Sequence, residues 1–171
     1  YESASLRIRL GNQGPGTTGI DGRISGSERF GLELREAGSG ALLWTAGATA
    51  GALLQVPGLD ARILARPVPV DLDGDGWHDR IYAADVTGRI WRIDLTNGLA
   101  RERWARATQL ADLSGSGLRG FLAAPDIALH ESRDRAPWLS IALGSVSFED
   151  QSAANRFYVL RDSATSAAPD N

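Results

Sequence analysis

Three stretches of this chain are written in one grammar, in which a short apolar run, a turn or loop, and a further apolar run follow one another. Repetition of this kind constrains the fold more than any single motif, because each unit must bury its apolar face on a neighbouring copy. Phe30 to Ala46 reads as a strand, a turn at Ala37-Gly38-Ser39-Gly40, and a strand ending in Leu42-Leu43-Trp44. Ala65 to Leu95 reads as a strand around Val68 to Val70, an acidic loop, a strand Arg80 to Ala84, the turn Asp85-Val86-Thr87-Gly88, and a strand Arg89 to Leu95. Ala123 to Asp162 repeats that order with Ala124 to Leu129, a charged loop, Trp138 to Gly144, a longer connection and Asn155 to Asp162.

Twenty glycines and seven prolines punctuate these runs of Val, Ile, Leu, Trp and Tyr, which places the chain in the mostly β class. Within Arg89 to Leu95 the alternation sets Ile90, Arg92 and Asp94 on one face and Trp91, Ile93 and Leu95 on the other. Leu99 to Leu113 carries the best competing helical spacing, with Ala100, Trp104, Ala107 and Ala111 near one face. Each repeat is a strand meander of the kind that builds one propeller blade. At roughly 40 to 50 residues per blade, and at least about four blades in a closed ring, the chain holds about three. The expected fold is all-β, with antiparallel meander sheets forming part of a β-propeller over residues 1–162 and a flexible tail over 163–171.

Composition removes several function classes. No apolar run approaches the roughly 18 residues of a membrane-spanning helix, so no transmembrane segment is expected. With no cysteine there is no disulfide framework, thiolate zinc site, iron–sulfur cluster or cysteine nucleophile. Eighteen basic residues, all arginine, against 21 acidic ones give a net charge of −3 without a block of like charge, so nucleic acid is not an expected partner. The chain also lacks methionine. It is therefore expected to be a piece of something longer, with any signal peptide outside it.

The chemistry concentrates in Asp71-Leu72-Asp73-Gly74-Asp75-Gly76-Trp77-His78-Asp79. Carboxylates at loop positions 1, 3, 5 and 9, with glycine at position 6 for a sharp turn, converge on a hard cation. Calcium fits best. The set has no soft ligand for zinc or copper, and magnesium keeps several waters that a crowded loop would displace. The expected ligands are Asp71, Asp73, Asp75, the Trp77 carbonyl and Asp79, with water completing the shell. The loop departs from the EF-hand, since Tyr82 stands where a bidentate Glu would be and a strand follows in place of a helix. The alternative is a solvated turn held by side-chain to backbone hydrogen bonds. Aligning Pro67 with Pro125 sets Leu129, Glu131, Arg133 and Pro137 opposite the four aspartates, so the repeat itself does not require them.

Other motifs carry less. Gly115 to Gly120 matches GxGxxG, but a strand is expected after it where a nucleotide site needs a helix. His78 and His130 are the only histidines, and each reads as a surface or loop residue. No GxSxG elbow occurs, and no carboxylate couple is singled out as acid and base. Trp44, Trp91 and Trp138 sit at matching strand ends, where packing between blades is the expected role.

Taken together, Pro69 to Gly76, Arg80 to Asp85 and Gly88-Arg89-Ile90-Trp91-Arg92-Ile93-Asp94-Leu95 resemble the C-terminal β-propeller of PilY-type (PilC-like) type IV pilus tip adhesin and biogenesis proteins. Ala123 to Asp126, Ile141 to Ser145 and Asn155 to Asp162 follow in the family's order, and the resemblance runs from about Phe30 to Asp162. It implies a non-enzymatic, exported protein at the pilus tip, outer membrane or cell surface. Its partners would be minor pilins or the pilus tip, and host-cell or abiotic surfaces. Calcium at the acidic loop would regulate pilus extension and retraction, twitching motility and adhesion. The alternatives are an FG-GAP-type adhesion or carbohydrate-recognition propeller with structural calcium, which predicts repeated loops, and a quinone-dependent dehydrogenase, which often places a vicinal Cys pair under its cofactor.

Overall fold

The computed structural model describes residues 3–8, 19–27, 31–115, 119–147 and 154–165. Among them every regular element is a strand, and the thirteen strands form three sheets. In the first, β1 (Ser3–Ile8), β2 (Ile20–Gly26), β3 (Leu32–Glu36) and β4 (Leu42–Gly47) run antiparallel in chain order, and the two-residue β5 (Leu54–Gln55) lies parallel to β4. In the second, β6 (Val68–Val70), β7 (Arg80–Ala84), β8 (Arg89–Leu95) and β9 (Ala105–Asp112) form a plain meander. In the third, β12 (Arg135–Ser147) carries β13 (Arg156–Asp162) on one edge, and β11 (Asp126–Ser132) followed by β10 (Arg119–Phe121) on the other.

The expected all-β class with antiparallel meander sheets is what the described residues adopt, as three open sheets in chain order. The first sheet begins two strands earlier than its sequence repeat suggests. Residues 99–113 hold no helix; a turn at 101–103 leads into β9, which pairs with β8 from Leu95↔Ala105 to Arg89↔Asp112. Pairing satisfies the open edge of β8 and outweighs local helical spacing, as tertiary context commonly does.

Burial follows the stacking order. One core, with Leu6, Ile8, Ile24, Leu34 and Trp44, meets Ile81, Ala83, Trp91, Ile93 and Leu95 of the second sheet. Trp104 completes it, its ring edge-on to Trp44 with centroids 5.2 Å apart. A second core joins Tyr82, Ala84 and Ile90, from the opposite face of that same sheet, to Phe121, Leu139, Ile141 and Leu143. The middle sheet is thus covered on both faces, and β7 has no exposed position. The outer face of the third sheet is open, with Phe157 72% and Val159 61% exposed.

The tryptophan expectation holds for Trp44 and Trp91 and fails for Trp138. Alternation along β12 turns Leu139 and Ile141 inward, which puts Trp138 on the outer face, stacked on His130 at 4.0 Å. Of the expected tail, residues 166–171 lie outside the described residues. Before them, the Ala164 carbonyl accepts from Arg80 Nη1, and Thr165 Oγ1 donates to the Pro137 carbonyl at 3.3 Å.

Candidate metal centre

The acidic loop joins β6 to β7, so its two ends are adjacent residues of a ladder in which Val70 faces Arg80. That closure sets Asp71 and Asp79 side by side. Between them, Gly74 and Gly76 take φ of 76° and 90°, values that side-chain-bearing residues rarely adopt. Neither glycine is crowded, so backbone conformation and not close contact requires it.

The loop backbone orients the carboxylates. Asp71 Oδ1 accepts from Gly74 N at 2.8 Å and Oδ2 from Gly76 N at 2.9 Å. Asp73 Oδ1 accepts from Asp75 N at 3.1 Å, and Asp75 Oδ1 from Trp77 N at 2.8 Å. Asp79 Oδ2 accepts from Leu72 N at 2.7 Å, drawing the last loop residue back to the second. A carboxylate oxygen has more than one acceptor site, so these bonds aim the groups without using them up.

Asp71, Asp73 and Asp79 each present an oxygen within 4.8 Å of the others. Asp75 lies outside that trio, and its Oδ1 is turned to the loop backbone. Asp79 is only 6% exposed, and its carboxyl is pushed above the ordinary carboxylate range. Burial is the main cause; the Leu72 amide opposes it, and the negative charges of Asp73, Asp71 and Asp75 add to it. A hard cation would relieve the crowding of negative charge, because it supplies the missing positive charge to an all-oxygen donor set. The residues present therefore fit calcium. Asp71, Asp73 and Asp79 would hold it, and Asp75 and the Trp77 carbonyl are the further ligands expected from the spacing.

Other residues singled out in the sequence separate from this centre. His130 lies on the outer face of the third sheet, where Nε2 is 2.9 Å from Ser140 Oγ. The GxGxxG tract runs into β10, a strand that takes in its last two residues, and its residues 116–118 lie outside the described residues. Two buried polar clusters were missed. Asp85 is fully buried and accepts from Thr87 N, Thr87 Oγ1, Arg89 N, Arg89 Nε and Trp91 Nε1 at 2.7–3.1 Å. The aspartate at the head of the Asp85 to Gly88 turn was the available signal. Asp162 gathers Arg92 and Tyr82 across two sheets, and no local pattern marks that contact.

No family model matches the chain, and no curated protein matches it. Among solved structures, the crystal structure of the Pseudomonas aeruginosa PilY1 C-terminal domain is similar over 96% of this chain, with 20% identity and a TM-score of 0.65. The chain spans 37% of that domain's length. What the two share at this identity is a fold, and this chain is built as part of a β-propeller like that of the PilY1 C-terminal domain.

Proposed function

We propose that this chain is a non-enzymatic calcium-binding module of an exported, type IV pilus-associated protein that supports pilus extension and retraction, twitching motility and surface adhesion. The observation that carries the reading is the convergence of Asp71, Asp73 and Asp79 at the mouth of the β6–β7 loop. Its setting in a fold similar to the PilY1 C-terminal domain supports the pilus context. The ion would cross-link the end of β6 to the start of β7 and offset about half of the charge of the loop's four aspartates. Minor pilins or the pilus tip are the partners this reading names, and the pilus tip, outer membrane or cell surface is its location. An FG-GAP-type propeller would repeat the loop from sheet to sheet. Here the corresponding β11–β12 connection is the two-residue turn Arg133-Asp134, which gives that alternative no support.

Calorimetric titration of calcium into chelated protein tests the site, with Asp73→Asn alongside. One saturating site, in the roughly 0.1 to 1 mM range of extracellular modules or tighter, that is lost in the variant supports the reading. No heat up to several times that range would remove calcium from it. Twitching restored by the parent protein but not by its Asp73→Asn form would support the pilus role.

A further inference from the structure

The acidic loop does more than close a hairpin. Trp77 and His78, which precede the last carboxylate, reach back to the first sheet. His78 N donates to the Arg7 carbonyl at 3.0 Å, and the Arg7 amide donates to His78 Nδ1 at 2.9 Å. Arg7 stands opposite Asp21 in the β1–β2 ladder, and since both its backbone groups go to His78, they face the free edge of β1. The Trp77 indole lies on Gly19, just ahead of β2, where a β-carbon would fall 1.7 Å from ring atoms Cη2 and Cζ3. The Arg7 guanidinium covers that ring at 5.5 Å from its centroid.

The same residues are fixed to the second sheet. Asn97 Nδ2 donates to the His78 carbonyl at 3.3 Å, and Leu95 N donates to the Asp79 carbonyl at 2.7 Å. The segment 77–79 thus touches two sheets at once and carries one of the converging carboxylates.

We infer that this segment is a calcium-set clasp, in which ion binding at Asp71, Asp73 and Asp79 governs how firmly Trp77 and His78 hold the edge of the first sheet. The inference rests on the calcium reading. Without the ion, three carboxylates within 4.8 Å repel one another, and an outward swing of the loop relieves them while lifting Trp77 from Gly19 and Arg7. With the ion, the converged loop that seats Trp77 is the favoured one. Linkage requires the converse by the same factor: a loop that cannot seat Trp77 binds calcium more weakly.

Hydrogen exchange on the whole chain, with calcium and with chelator, reads the clasp at the Arg7 and His78 amides, while calorimetry reads the site. Calcium should slow exchange at both amides by about tenfold. Two variants leave every proposed carboxylate in place. Trp77→Ala removes the strut, and Gly19→Val drives a side chain into its seat; each should weaken calcium binding about 5- to 20-fold and reduce the gain in protection. Calcium binding in the wild type with unchanged exchange at Arg7 and His78 would overturn the clasp and leave the calcium reading intact. So would unaltered affinity in both variants. No calcium binding in the wild type would overturn the site, and the clasp with it.

Discussion

Arg92 Nη1 donates to both carboxylate oxygens of Asp162, at 2.9 and 3.0 Å, tying β8 of the second sheet to the end of β13 in the third. Tyr82 Oη donates to the same carboxylate at 2.7 Å. Arg80, almost sealed from solvent, lies 3.6 Å from it and gives its Nε to Asp94 at 2.7 Å. Burial raises the pKa of the Tyr82 hydroxyl, and its hydrogen bond to Asp162 adds to that, so it stays a donor. A charged clamp therefore closes an interface whose remaining contacts are largely apolar.

Removing the carboxylate with Asp162→Ala leaves two arginines facing a buried gap. The expected cost is about 3 to 5 kcal/mol, the range for breaking one partner out of a buried ion pair. Asp162→Asn keeps the shape and one acceptor and should cost less. Urea denaturation of the two variants measures both, and a loss under about 1 kcal/mol in Asp162→Ala would show that the clamp adds little to stability.

Acid should act through the same group. Burial opposes ionisation of Asp162, but hydrogen bonds from Tyr82, the Ala164 amide and Arg92, with the charge of Arg92, outweigh it and hold the carboxyl below its ordinary value of 3.8. A depressed folded pKa contributes stability that is present above the unfolded value and is lost as pH falls through the folded one. Wild-type stability should therefore fall below about pH 4, and Asp162→Asn should show a shallower slope there. Equal slopes in thermal melts of the two proteins would contradict this.

The Asp85 carboxylate organises the β7–β8 turn and one end of the first core, since it receives the Trp91 indole N–H as well as Thr87 and Arg89. Asp85→Ala orphans these donors and should cost about 3 to 5 kcal/mol. Because its main-chain carbonyl also accepts from Phe121 N at 3.2 Å, disorder of that turn should reach the third sheet. Loss of near-ultraviolet circular dichroism well before loss of the far-ultraviolet signal would report it.

In the loop, Asp73→Asn should weaken calcium binding by at least about tenfold, since it removes a charged donor from the converging trio. In chelator the same variant should be as stable as wild type or slightly more so, because it lowers the repulsion on Asp79. Gly76→Ala meets no steric obstacle and costs only the positive φ, about 1 kcal/mol. It should therefore weaken the ion more than the fold. Paired melts with calcium and with chelator separate the two effects.

How much of this was legible depends on how local each feature is. The stretch from Val68 to Leu95 could be read closely, because its boundaries are set by nearby turn residues such as Gly88. The loop carboxylates were legible for the same reason. β2 was not, because its glycines imitate a turn: a β-carbon at Gly26 would meet the Ile63 carbonyl at 1.9 Å, so glycine there marks a close approach within a strand. The face taken by Trp138 and the strand state of Ala105 to Asp112 were decided by pairing partners. Arg92 and Asp162 are 70 residues apart, and neither carries a sign of the other.

Strand β7 has no side that faces water. In an ordinary half-exposed strand, slipping the pairing by one residue is penalised because apolar side chains emerge into solvent. That penalty is absent here, since a slipped β7 would merely exchange what it offers to two dry compartments. Ile81 and Ala83 fill one and Tyr82 and Ala84 the other, so a slip would press the tyrosine into space shaped for a smaller side chain and carry Arg80 away from Asp94 and Asp162. The middle strand is kept in register by size and by one buried charge, and a substitution that evened out its side-chain volumes would remove the first of these without exposing anything, leaving Arg80 to hold the register alone.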